Sequence, residues 1–168
     1  MTTDTRRIAV QSPIGTLVLQ GDDDVLVSLL LPAPGNAKGV PVANGARSAR
    51  ALGAPLAAAV AQLEEYFAGR RRTFDLPLEL TGTPFQRDVW TSLADIPYGS
   101  TVSYAELAAM VGRPTAFRAV GQANGSNPIP IVLPCHRVVA SGGGIGGYGG
   151  GLPVKRRLLA LEGAPGDW

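Results

Sequence analysis

The sequence predicts an α+β protein of two domains: residues 1–79 as a small strand meander plus a helix, and residues 80–168 as a mainly helical domain with a helix-turn-helix. Three observations lead there. Before residue 32 the apolar residues fall in short runs parted by turn-forming residues, which is a strand pattern. From residue 56 onward they recur three and four positions apart, which is a helical one. Two capping sequences then mark helix starts in the second half.

Taken in order, Arg6 to Val10, Gly15 to Leu19 and Val25 to Leu31 read as strands, joined by Ser12-Pro13-Ile14-Gly15 and by Asp22-Asp23-Asp24. Pro32 to Gly53 is rich in Gly, Pro, Ala and Asn and is expected to be a loop. Leu56, Val60, Leu63 and Phe67 define one face of a helix that Gly69 stops. In Thr83-Pro84-Phe85-Gln86 an N-cap, a proline at the first helical position and a capping-box glutamine coincide, and Phe85, Val89, Trp90 and Leu93 share the face that follows. Ile96-Pro97-Tyr98-Gly99 ends that helix in a turn. Ser103-Tyr104-Ala105-Glu106 opens the next, which is expected to bury Leu107, Met110 and Val111 before Gly112 caps it.

A further helix follows Arg113-Pro114. Helices over 103–111 and 115–124 with a Gly-containing turn fit a helix-turn-helix, a pattern shared with helical hairpins that never meet DNA. The second of them carries Ala116, Ala119 and Ala123 beside Arg118, with Gln122 and Asn124 as its other long polar side chains. Such a helix suits shallow contact in a minor groove better than reading the major groove.

With one cysteine and one histidine in 168 residues, neither a disulfide framework nor a four-ligand zinc site is available. Met1 to Val10 has no apolar core, and the longest apolar run, Val25 to Leu31, is far too short to span a membrane, so a cytoplasmic location is expected. A net charge of +2 argues little, yet from Arg113 to Arg157 there are six basic residues and no acidic one. That asymmetry is either chance or the face of a polyanion partner.

The chemistry concentrates in Asn127 to Val139. Pro128, Pro130 and Pro134 exclude a helix and favour a rigid extended chain that presents Cys135. A lone cysteine is by default a small buried hydrophobe. Beside the only histidine, His136, and Arg137, neighbours that lower a thiol pKa, an activated nucleophile is the stronger reading. Adjacent side chains of a strand face opposite ways, so His136 needs a bend or a bridging water to serve the thiol. A base also needs an acceptor on its other ring nitrogen. Glu162 closes a helix over Pro153 to Leu161, against the helix dipole, and is either that acceptor or a solvated surface carboxylate. Between them Ser141 to Gly151 holds 8 of the 22 glycines; it lacks the ending of a phosphate-binding loop and reads as a mobile lid carrying Tyr148.

Pro134-Cys135-His136-Arg137-Val138 resembles the active-site signature of the O6-alkylguanine-DNA alkyltransferases, also called methylated-DNA–protein-cysteine methyltransferases. The resemblance runs in order through Phe85-Gln86-Arg87 with Trp90, Ile96-Pro97-Tyr98-Gly99, Ser103-Tyr104, Arg118-Ala119-Val120-Gly121, Ala123 to Pro128, Gly147 to Gly151 and Leu158 to Gly163. Before residue 80 it rests only on Ser12 to Gly15 and on Gln62 to Gly69. It implies single-turnover repair of double-stranded DNA, in which Cys135 takes the alkyl group from O6 of guanine, and also from O4 of thymine, and keeps it. It further implies that Glu162, His136 and a water activate Cys135, that Asn127 braces the turn, and that Tyr104 and Arg118 act on the DNA. Tyr148 and Gly149, with the Val138 carbonyl and a wall at Pro130, would hold the flipped base. No cofactor and no metal are implied, and the chain resembles the free-standing bacterial kind, expected to act as a monomer. The alternatives are a helix-turn-helix protein that binds alkylated DNA without chemistry, a role taken in nature by relatives that lack the cysteine, and a Cys/His hydrolase.

Overall fold

The computed structural model describes residues 4–168, so the first three positions of the Met1 to Val10 stretch lie outside the described residues. The chain divides into two compact units, the first ending at Leu80 and the second running from Thr81 to Trp168. No helix among the described residues is long and apolar enough to cross a membrane.

The first unit is built on an antiparallel sheet of β1 (Arg6–Ser12), β2 (Gly15–Gly21) and β3 (Leu26–Leu30), with β2 in the centre. Ser12 pairs with Gly15 across a two-residue turn. The Ser12 hydroxyl donates to the Gly15 carbonyl at 2.6 Å, and Gly15 takes a φ of 117° that a side chain would disfavour. At the other hairpin the Asp22 carboxylate accepts from the backbone N–H groups of Asp24 and Val25. Both sheet edges are covered: Ala9 exchanges backbone hydrogen bonds with the 41–43 segment, and Leu26 with 77–79. Helix α1 (Ala46–Ala49) and a short 3₁₀ turn (Arg50–Leu52) interrupt the stretch expected to be all loop. Helix α2 (Ala54–Phe67) lays Leu56, Ala59, Val60 and Leu63 on the sheet. Its last buried aromatic is Tyr66 rather than Phe67, which stays half-exposed, because a 3.6-residue period carries Tyr66 back onto the face of Leu63 and Ala59.

In the second unit both capping boxes form. Gln86 N–H donates to Thr83 Oγ1 at 3.1 Å and Thr83 N–H to Gln86 Oε1 at 3.0 Å, starting α3 (Pro84–Leu93). Ser103 and Glu106 do the same for α4 (Tyr104–Met110). α4 buries Leu107 and Ala108, whereas Met110 is 42% exposed. Met110 falls off the stripe that buries Leu107 and Ala108, and Val111, just past the helix, is only half-buried. Helix α5 (Phe117–Gly125) packs on α3 and α4, and the Trp90 indole donates to the Ala123 carbonyl at 2.7 Å, tying α3 to it. β4 (Val102–Ser103) pairs in parallel with β5 (Val138–Val139), which joins the start of α4 to the chain leaving Cys135. Helix α6 (Leu152–Leu161) closes the unit and buries Lys155, Leu158 and Leu159.

Candidate active site

Cys135 lies on a 3₁₀ turn, Cys135–Arg137, and not on the extended strand the prolines suggest. The turn begins because Pro134 sits at φ −80° and ψ 67°, and the Arg137 N–H then closes it by donating to the Pro134 carbonyl at 3.0 Å. With three residues per turn, successive side chains splay by a third of a circle instead of alternating. His136 and Arg137 both reach Glu162 from this turn, where the strict alternation of a strand does not apply.

The approach to the turn is strained and braced. Ile131 adopts φ 74°, a left-handed conformation that a β-branched residue avoids. Asn127 holds both sides of it: its Nδ2 donates to the Leu133 carbonyl at 2.7 Å, and its Oδ1 accepts from the Ile129 N–H at 3.0 Å. Pro130 is buried within this same bend, bridged to Leu133.

His136 is wholly buried, and its Nε2 lies 2.8 Å from Glu162 Oε2. The same carboxylate receives Arg137 through Nε at 2.8 Å and Nη2 at 3.0 Å, while Arg137 Nη1 donates to the Ile96 carbonyl at 2.6 Å. A carboxylate gripped by a guanidinium is an acceptor, so Nε2 carries the imidazole proton. Burial pushes the His136 pKa below its ordinary value, against the hydrogen bond and charge of Glu162 that push it up, and the ring is therefore neutral. Nδ1 is then the basic nitrogen, and it is buried without a hydrogen-bond partner among the described residues. Glu162, the residue that caps the end of α6, is 5% exposed and so is not a solvated surface carboxylate.

The electrostatics of the thiol differ from the expectation. Burial raises the Cys135 pKa, and hydrogen bonding from Asn127 and Tyr148 and the charge of Lys155 oppose that rise. Arg137 does not lower the thiol pKa: its guanidinium is consumed by Glu162 on the other side of the turn. Cys135 therefore rests as a thiol rather than as a standing thiolate.

Of the remaining candidates, Val138 follows the turn, and its carbonyl accepts from Lys155 Nζ at 2.6 Å. Tyr104, at the start of α4, touches the glycine-rich loop: the Gly147 N–H donates to its hydroxyl at 3.3 Å. A Cβ on Gly146, which has φ 74°, would stand 2.8 Å from that hydroxyl, so only glycine fits there. Gly149 is exposed and lies against the Gly125 carbonyl at the end of α5. Arg118 is exposed on α5 beside Phe117, Ala119 and Gln122, apart from the thiol network. Asn124 is buried, with its Nδ2 toward the Cys135 carbonyl at 3.4 Å, so it is no part of a surface that reads DNA. Of the six basic residues from 113 to 157, Arg137 and Lys155 are inside, leaving Arg113, Arg118, Arg156 and Arg157 for a polyanion. Lys155 is the group sequence reasoning missed, since its place beside Arg156 and Arg157 disguises it as a surface charge.

Residues 84–164 match the family model described as 6-O-methylguanine DNA methyltransferase, DNA binding domain, and residues 6–80 match that of the ribonuclease-like domain of the same family. A methylated-DNA–protein-cysteine methyltransferase of Mycolicibacterium paratuberculosis is 51% identical over 154 residues, covering 91% of this chain and 89% of its own. The constitutive methylated-DNA–protein-cysteine methyltransferase of Bacillus subtilis is 44% identical over 154 residues, covering 90% and 92%. Among solved structures, Mycobacterium tuberculosis OGT in complex with DNA superposes with a TM-score of 0.81 at 44% identity, covering 95% of each chain.

Proposed function

The chain belongs to the 6-O-methylguanine DNA methyltransferase family, and from that premise we propose that it repairs double-stranded DNA by moving an alkyl group from O6 of guanine, or O4 of thymine, onto Cys135. Cys135 Sγ attacks the alkyl carbon, the S–C bond forms, and the C–O6 bond breaks with its electron pair left on the base. The thiol proton passes through a water to His136 Nδ1, and the guanine takes up one proton in exchange, so the reaction balances without a cofactor. The thioether is stable, and each protein molecule acts once.

The observation that best supports this reading is the buried chain Arg137–Glu162–His136, which fixes the tautomer and leaves Nδ1 as a base. The imidazolium formed as the proton arrives sits 2.8 Å from a carboxylate and is stabilised by it. Asn127 holds the strained bend that presents the thiol. Because O6 lies in the major groove while α5 offers small side chains suited to the minor groove, the damaged nucleotide must leave the stack. Arg118 fills the vacated space, Tyr104 presses on the adjacent phosphate, and Tyr148, Gly149, Pro130 and the Val138 carbonyl receive the base. The protein works as a cytoplasmic monomer on alkylated DNA.

Intact-mass analysis after incubation with a duplex containing O6-methylguanine tests this reading. One methyl group per protein molecule, lost with Cys135→Ser while DNA binding persists, is the expected result. Binding without mass gain would make the protein a passive reader of damage, and repeated turnover would make it a hydrolase.

A further inference from the structure

Lys155 is 0% exposed, and its ammonium donates to three carbonyls: Val138 at 2.6 Å, Ile145 at 2.6 Å and Gly147 at 2.9 Å. All three of its donors are thereby used, and none of the three acceptors is a carboxylate. A buried lysine with no ion-pair partner among the described residues is an expensive choice for a helix position that a methionine would fill. What the side chain gains is a connection. It joins the residue that follows the reactive turn to both ends of the Ile145-Gly146-Gly147 segment, the three residues before Tyr148. Another fastening of that segment is the Tyr104 hydroxyl at Gly147.

We propose that Lys155 is a positioning residue for alkyl transfer: its ammonium clamps the glycine-rich loop to Val138, so that Tyr148 stays at the thiol, and it is the counter-charge of the Cys135 thiolate as that thiolate forms. The inference rests on the alkyl-transfer reading above. Proton transfer from thiol to imidazole creates two opposite buried charges; Glu162 lies against the positive one, and the charge of Lys155 favours the negative one. Of the ionisable groups, Cys135 and His136 on the turn feel the charge of Lys155, Tyr148 follows the loop segment that it holds and Tyr104 on α4 bonds the same Gly147, while Arg156 and Arg157 on its own helix are exposed and Arg137 is held by Glu162. Burial lowers the Lys155 pKa to about 8, so the clamp is charged at neutral pH and weakens above it.

The test compares full-length wild type, Lys155→Met and Lys155→Arg in three measurements. These are single-turnover methyl transfer from an O6-methylguanine duplex, the pH profile of Cys135 alkylation by iodoacetamide, and hydrogen exchange of the 145–148 amides. For Lys155→Met the saturating rate should fall about tenfold or more, with the half-saturating duplex concentration unchanged. The iodoacetamide profile should move to higher pH and the 145–148 amides should exchange faster. Lys155→Arg should restore the profile, because the charge returns. A Lys155→Met protein that is folded and keeps the wild-type rate and profile overturns the proposal, as does loss of rate without a shifted profile. If neither variant folds, wild type decides: protection of 145–148 relative to α3 should drop as pH rises through about 8, and constant protection overturns the clamp. Failure of wild type to accept any methyl group would instead defeat the alkyl-transfer reading itself.

Discussion

The two units bury polar groups for different ends. In the first, Asp22 and Gln62 are the buried polar side chains among the described residues, and both satisfy backbone: Asp22 caps a hairpin turn, and Gln62 bonds the N–H and the carbonyl of Asp75 at 2.9 Å each. In the second, His136, Arg137, Lys155 and Glu162 are all within 5% exposure; His136 and Arg137 meet on Glu162, and Lys155 bonds the carbonyl that follows the reactive turn. Burying backbone partners stabilises a fold. Burying four ionisable side chains around one nucleophile costs stability and is kept where chemistry needs charge in a dry place.

Glu162→Gln should break that difference most severely. It removes the acceptor that stabilises the imidazolium and leaves the Arg137 guanidinium buried without its ion pair. Transfer should slow by about 10² to 10⁴ even well below the melting temperature, and the melting temperature should drop markedly, with an unpaired buried charge costing about 3–5 kcal/mol. Stopped-flow transfer and thermal melts on the same sample check both, and a variant as fast as wild type at every pH refutes the relay.

Arg118→Ala separates the surface of the second unit from its interior. Repair of a duplex should fall about 10- to 100-fold, matching the few kcal/mol of base extrusion, while reaction with a free O6-substituted guanine base stays near wild type. Equal losses on the two substrates would mean that Arg118 supports the fold or the pocket.

Gln62→Leu sharpens the contrast from the other side. Removing both hydrogen bonds to Asp75 should destabilise the protein by about 1–3 kcal/mol by chemical denaturation and leave the rate of the folded protein unchanged. A slowed folded variant would show that the first unit takes part in the reaction. The smallest effect is on pH dependence. Because the His136 pKa is lowered on folding, the unfolded chain binds the proton more readily, so stability should be lost as pH falls below about 6.5. Melts of wild type and His136→Gln across that range should differ in slope.

What was legible in the sequence was local. Thr83 with Gln86 and Ser103 with Glu106 announce their helices because each capping box closes within three residues. The strands of the first unit declare themselves through turn residues that bond their own neighbours. Cys135, His136 and Glu162 stood out through their types and through the resemblance. The 3₁₀ turn did not, since three prolines read as extended chain and the closing hydrogen bond runs to the carbonyl of a proline. Arg137 and Glu162 lie 25 residues apart and Lys155 bonds 8 to 17 residues back along the chain, so neither pairing leaves a periodic trace. Met110 reads as inside from its spacing alone, and the phase of α4, which buries Leu107 and Ala108, turns it to solvent.

The buried Arg137–Glu162 pair is expected to hold His136 with its proton on Nε2 and Nδ1 ready to take the proton of Cys135. The chain contains a single histidine, so its imidazole nitrogens can be observed without ambiguity after ¹⁵N-histidine labelling. At neutral pH the spectrum should show a protonated Nε2 and an unprotonated Nδ1, and S-methylation of Cys135 should shift Nδ1 more than Nε2. A protonated Nδ1, or an imidazolium at that pH, would contradict the account.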